Sequence, residues 1–268
     1  NPDLTWETVE STNIGISTRL FDLVDVELEL YNKDTKDMLM EIPYSYATGF
    51  SGGWGNVGNM NNKGIDLTLN FNVLNTKDMT FNVSGTFNYN KNEITKLFGG
   101  RDEFVVANTG LKYQIGKSVG DFYYTRWAGV DPATGAQLYW VYDKDENGNP
   151  GEPYISSDYS KATNSKFYLG DRIPDLYGSI GTDLTWKGLS LSVLTTYSLG
   201  GKIYDSLYAG SMNNMYFNNN FNSHALRRWQ KPGDITDVPR IEVGGSYATT
   251  DRFLVDASYF AIKNITLG

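Results

Sequence analysis

Gly53-Trp54-Gly55-Asn56-Val57-Gly58 fits G-x-G-x-x-G, the spacing that lets backbone amides approach a dinucleotide pyrophosphate. Asp78 follows about 20 positions after Gly58, where such proteins hold a ribose hydroxyl. That chemistry needs a strand feeding the first glycine and a helix opening at the last. The residues after Gly58, "NMNNKGIDLTLNF", instead alternate at period two, and Asp78 falls in a tight turn at the other end of the same segments. The glycines therefore read as an outer loop, with no nucleotide site.

Asp143-Lys144-Asp145-Glu146-Asn147-Gly148 resembles the start of a calcium loop, but Tyr154 stands at the twelfth position, where a bidentate Glu belongs. Acidic residues before Asn-Gly are also an ordinary turn signal. The turn is the preferred reading, with a calcium site at Asp143, Asp145 and Asn147 as the alternative. His224 is the only histidine and there is no cysteine, so zinc, triad and thiolate chemistry would rest on one residue in "FNSHALRRW". Paired carboxylates (Asp25, Glu27 and Glu29; Asp102 and Glu103) lack the apolar pocket that general acid–base work requires. The sequons at Asn82 and Asn264 lie inside alternating segments rather than loops. No catalytic constellation and no cofactor are expected.

Aromatic residues in the loops remain: Trp54, Tyr124, Trp127, Trp140, Tyr216 and Trp229 are the candidates for stacking on sugars or gripping peptides. The competing reading is that such rings pack the loops together. A formal charge of −8, with Arg227-Arg228 as the longest basic cluster, excludes a nucleic-acid partner.

What must position these groups is a set of extended segments. Val24, Val26, Leu28 and Leu30 alternate with Asp25, Glu27 and Glu29. Ile65, Leu67, Leu69, Phe71 and Val73 alternate with Asp66, Thr68, Asn70 and Asn72. Similar runs start near residues 6, 78, 174, 189 and 252. Each is longer than the ~5–6 residues of ordinary strands and suits the ~9–11 that cross a bilayer at a tilt. Breaks at 21–23, 74–78 and 187–188 are short, and those at roughly 37–62, 93–173 and 200–251 are long. Strict short–long alternation is the habit of a transmembrane barrel, with periplasmic turns at one end and extracellular loops at the other.

The expectation is an all-β, antiparallel transmembrane β-barrel in part, with seven crossings and long extracellular loops. Residues 93–173 are read as extracellular, with two further crossings as the fallback. Asp66, Asn70 and Asn72 would then face a wet lumen, where they could meet a substrate. A soluble or surface-attached glycan-binding β domain is the alternative. No apolar run is long enough for a membrane helix and "NPDLTWETVE" has no leader-like core, so the chain reads as an interior piece or a processed product.

The stretches "NPDLTWETVESTNIGISTRLF", "NVGNMNNKGIDLTLNFNV", "WAGVDPATGAQLYW", "GDRIPDLYGSIGTDLTWKGLSLSVLTTYSLGGKIYD" and "DRFLVDASYFAIKNITLG" closely resemble the C-terminal part of SusC/RagA-type TonB-linked outer-membrane proteins of Bacteroidetes-like bacteria. The resemblance runs the length of the chain. It implies about seven to nine strands of a roughly 22-stranded barrel. Residues 1–268 would form one barrel segment, without the plug domain that precedes the barrel or its final strands. It also implies energisation by TonB through a part not included here, a SusD-like surface lipoprotein as lid, contact with outer-membrane lipid, and an oligosaccharide or peptide as cargo.

Overall fold

Period-two alternation makes an extended chain with two chemically distinct faces. In the computed structural model every segment that alternates this way is a long strand. The structure describes residues 4–43, 47, 49, 52–106, 110–212, 220–242 and 248–268. In chain order the first elements are β1 (Thr8–Leu20), β2 (Val24–Lys36), β3 (Leu39–Pro43), β4 (Gly52–Asn56), β5 (Gly58–Asn75) and β6 (Met79–Leu97). Then come β7 (Glu103–Val106), β8 (Leu111–Gln114), β9 (Asp121–Tyr124), β10 (Arg126–Val130), β11 (Gln137–Val141) and β12 (Tyr154–Ser156). Helix α1 (Tyr159–Asn164), β13 (Phe167–Asp171), β14 (Leu176–Trp186), β15 (Leu189–Leu199) and β16 (Lys202–Tyr204) follow. Helix α2 (Ser206–Met212), β17 (Leu254–Asp256) and β18 (Tyr259–Leu267) complete the order.

Two compact units share the chain. The first comprises 1–121, 171–201 and 257–268, and is dominated by a seven-stranded sheet in the order β1-β2-β5-β6-β14-β15-β18. All six neighbouring pairs are antiparallel. These are the seven crossings expected from the sequence, and no further strand joins the sheet between Leu97 and Leu176 among the described residues. The added pair of crossings is therefore not found among the described residues.

Register carries the alternation across the whole sheet. Ile16 pairs with Leu28, Leu28 with Leu67, Leu67 with Phe87, Phe87 with Gly178, Gly178 with Tyr197, and Tyr197 with Phe260. One residue along, Ser17, Glu27, Thr68, Thr86, Ser179 and Thr196 pair in the same way. A slip of one residue would exchange the two faces, so burial of one face in an apolar phase fixes this register. The apolar face is not covered by protein: Ile14, Ile16, Phe260 and Ile265 are 65%, 62%, 65% and 62% exposed.

The short connections are tight. Lys187 and Gly188 both adopt positive φ, 47° and 91°, which is the two-residue hairpin that matches strand twist. At the other end the strands run further than their periodicity indicated. β5 begins at Gly58 rather than near 62, and β6 continues to Leu97 rather than stopping near 92. The last strand begins later than expected, at Tyr259 and not near 252, because Leu254–Asp256 pairs with Lys202–Tyr204 in a sheet of its own.

The second unit comprises 122–170 and 202–256, so the two longest loops form one body. Its strands β10, β11 and β12 make a small antiparallel sheet, and β9 and β13 lie side by side. One core gathers Tyr139, Val141 and Ala162 with Trp127 and Ala248 against it. Another gathers Met212, Ala225 and Val238 with Tyr208 and Phe253. Thr125 and Thr250 join the two loops in a parallel bridge, both nearly fully buried.

Candidate functional site

The polar face of the seven-stranded sheet follows from register. Asp66 pairs with Glu29 on β2 and Asn88 on β6; Asn70 pairs with Asp25 and Ser84; Asn72 pairs with Asn82. A groove of about 310 Å³ is lined by Gly15, Ser17, Glu27, Glu29, Asp66 and Thr68 among others. Neighbouring hydroxyls are tied across strands, as between Thr86 and Ser179 at 2.9 Å. Carboxylates, amides and hydroxyls in rows can hydrogen-bond a polar solute. None is buried in the way a catalytic acid or base requires.

At the long-loop end of the same unit lies an amide network that sequence reasoning missed. Asn61 Nδ2 donates to Asn32 Oδ1 and Asp34 Oδ1, both at 2.7 Å. Asn92 Nδ2 donates to Asn62 Oδ1 at 2.8 Å, while Asn92 Oδ1 accepts from the Val119 N–H at 2.9 Å. These bonds hold β2, β5 and β6 together beyond the greasy part of the strands. Asparagines in "NMNN" and "NYNKN" were the available signal, but their partners lie on other strands.

Beside this network a cleft of about 240 Å³ is lined by residues that include Asn90, Lys91, Lys117, Asp121, Asp171 and Asp175. Burial, and then the neighbouring Asp171 carboxylate, raise the Asp121 pKa above its usual value. A raised carboxylate pKa means that folding favours the neutral form. Below the unfolded-state pKa there is no effect, and stability is lost as pH rises through the folded-state value. Asp121→Asn should therefore raise the thermal midpoint of the purified protein at about pH 8 and leave it unchanged at about pH 3. Equal gains at both pH values would rule out this electrostatic origin.

The G-x-G-x-x-G residues form no phosphate cradle. Gly53 and Gly55 lie in β4, paired with β3, and Gly58 opens β5 with no helix following. The Asp78 carbonyl accepts from the Lys187 N–H at 2.9 Å, within the short-turn end. Trp54, also in β4, is 65% exposed.

The other described aromatic candidates belong to the second unit. Tyr124 stacks on Phe122 with centroids 5.9 Å apart and lies 5.3 Å from Tyr204. Trp127 meets Tyr139 edge-on at 6.2 Å. Trp140 lies under the Arg126 guanidinium at 5.5 Å. Trp229 donates its indole N–H to the Pro132 carbonyl at 2.9 Å. The ring also lies where a side chain on Gly135 would be, so that position, at φ 72°, requires glycine. Tyr124, Trp127 and Trp229 thus pack the loops, and Tyr216 lies outside the described residues.

In "DKDENG", Asp145 Oδ1 accepts from the Asn147 and Asn149 N–H groups at 2.9 and 2.8 Å, which closes a turn. Asp143 pairs with Lys161 at 3.1 Å and accepts from the Tyr154 hydroxyl at 2.9 Å; both bonds hold its carboxyl below the usual range. Among the described residues no group of three or more His, Asp or Glu is arranged to hold a metal ion. His224 Nδ1 shares a hydrogen bond with the Tyr208 hydroxyl at 2.9 Å.

The family model described as "TonB dependent receptor-like, beta-barrel" matches residues 1–161. Over its full length the chain is 28% identical to "TonB-dependent receptor P3" of Formosa agariphila and 25% identical to "TonB-dependent receptor SusC" of Bacteroides thetaiotaomicron. It spans 27% and 26% of those relatives. A solved structure described as that of the RagAB peptide transporter superposes on the whole chain with a TM-score of 0.86 at 33% identity. The chain covers 29% of that structure's own chain. A seven-stranded antiparallel sheet with one apolar and one polar face, a family model over more than half of the residues, and relatives of the SusC/RagA type agree: this chain belongs to the TonB-dependent receptor-like β-barrel family.

Proposed function

We propose that these 268 residues are one stretch of the barrel of an outer-membrane TonB-dependent importer, which moves a bulky oligosaccharide or peptide without covalent chemistry. The observation that carries this reading is the pairing of apolar with apolar and polar with polar rows through seven antiparallel strands, with local shifts at Asn59/Met60, Asn72/Leu74 and Leu194/Thr195. Such rows fit lipid on one side and water on the other. In this reading Asp66, Asn70 and Asn72 line the lumen, and Trp54 and Trp140 are the loop rings left to meet cargo. A SusD-like lipoprotein serves as lid, and TonB acts through another part of the longer polypeptide. The support for both partners is family membership and the likeness to SusC and RagAB. Energy coupling is assigned to no residue of this chain.

The test is the denatured mass and solubility of the native polypeptide. Recovery only with detergent, from the outer-membrane fraction, at several times 30.0 kDa is the expected result. A 30.0 kDa product that stays soluble without detergent would overturn it in favour of a glycan-binding β domain.

A further inference from the structure

Arg252 lies in the single-turn 3-10 helix Asp251–Phe253, its backbone N–H directed at the Thr250 hydroxyl 3.4 Å away. The guanidinium carbon lies over the Trp127 ring and over the Phe253 ring, 5.0 Å from each centroid. The side chain is half-buried and, among the described residues, makes no ion pair and no side-chain hydrogen bond. Two acids of the same unit are committed elsewhere. Asp251 accepts the Trp127 N–H at 2.6 Å, and Asp237 pairs with Arg227 at 3.2 Å.

A guanidinium carries five N–H donors in one plane and no acceptor. Aromatic faces attract its charge but leave those in-plane donors unmet. None of its nitrogens is sealed from solvent, so water meets these donors until a stronger acceptor displaces it. Burial pulls the pKa of Arg252 down from its ordinary value, but an arginine stays charged at neutral pH. An anion is the acceptor that would displace that water most favourably. A carboxylate fits best, because its two oxygens match a guanidinium edge in parallel hydrogen bonds. Of the charged groups around it Asp237 is felt most and Arg227 less, but the two are paired with each other, so an incoming carboxylate meets a compensated pair, and Tyr208 packs edge-on against Phe253 at 5.6 Å.

We propose that Arg252 is the receptor for a carboxylate on the transported cargo, with Trp127 and Phe253 holding the guanidinium in place. The assignment rests on the import reading above. The carboxylate has two possible sources, a uronic-acid oligosaccharide or the C-terminus of a peptide.

The test uses the full-length protein in detergent, with binding read by tryptophan fluorescence. The probes are an oligogalacturonate and its methyl ester, and a short peptide acid and its C-terminal amide. Wild type should bind one of the two acids at least about tenfold more tightly than its neutral counterpart. Arg252→Gln should erase that preference without weakening the neutral probe, and Arg252→Lys should retain part of it. The series that responds identifies the source. Absence of an acid preference in wild type, or its survival in Arg252→Gln, overturns the proposal. So does loss of a copurifying lipoprotein in Arg252→Gln with the preference intact, which would place Arg252 at the partner interface. Where the glutamine variant fails to fold, Arg252→Lys decides: an acid preference undiminished from wild type overturns the proposal. Absence of the protein from the outer membrane would instead sink the import reading itself.

Discussion

Leu67→Lys should destabilise the membrane-embedded protein by about 2–4 kcal/mol, whereas Thr68→Lys, one residue along, should change stability little. Leu67 sits in the middle of β5 (Gly58–Asn75), between Leu28 and Phe87, in the row that reaches Phe260. In a bilayer this row meets hydrocarbon, where an ammonium loses its hydration and finds no acceptor. Thr68 belongs to the opposite row, with Glu27 and Thr86, and a lysine there would meet water and a carboxylate. The cost should also depend on depth. Lysine at Leu74, which pairs with Phe81 beside the short turn, should cost only about 0–1 kcal/mol. Denaturant unfolding of the full-length protein in lipid vesicles measures all three variants. Equal costs at positions 67 and 68 would mean that the two faces do not meet different solvents.

Gly178→Ala has the next largest expected effect. Gly178 lies in β14, between Phe87 on β6 and Tyr197 on β15. Tyr197 crosses above it and donates its hydroxyl to the Thr86 carbonyl at 2.9 Å. A methyl group on Gly178 would collide with that carbonyl and lie 2.7 Å from the tyrosine hydroxyl. Overpacking of this kind costs about 1–3 kcal/mol, and the displaced hydrogen bond adds about 0.5–1.5 kcal/mol. Tyr197→Phe should lose only the second part. The double variant should fall short of the sum, because the alanine already breaks the bond that the phenylalanine removes. Gly15→Ala is the control: its new methyl would meet only the Leu28 carbonyl oxygen, at 3.7 Å, and should be near neutral. The same device recurs on the polar face, where Tyr31 crosses Gly64 to donate to Asn90 Oδ1 at 3.1 Å. Full additivity in the Gly178 and Tyr197 pair would separate the two residues.

The sequence by itself determined the seven strands, their two faces and the tight connections. Periodicity is a local property: Val24 to Leu30 and Ile65 to Val73 declare a lipid-compatible face without reference to any partner. Lys187-Gly188 likewise declares a turn between two such runs, and the resemblance of whole stretches placed the chain in its family. Only the tertiary structure decided where the strands end. Asn61 holds Asn32, and Asn92 holds Asn62, through bonds between distant residues that no window of sequence contains. It also decided that Leu254–Asp256 leaves the final strand for Lys202–Tyr204, and that two loops separated in sequence share one body through Thr125 and Thr250. The loop aromatics were visible in the sequence, but their roles were not. Whether a tryptophan is exposed like Trp54 or packed like Trp229, and whether an arginine finds an acid, depends on which distant segments fold against it.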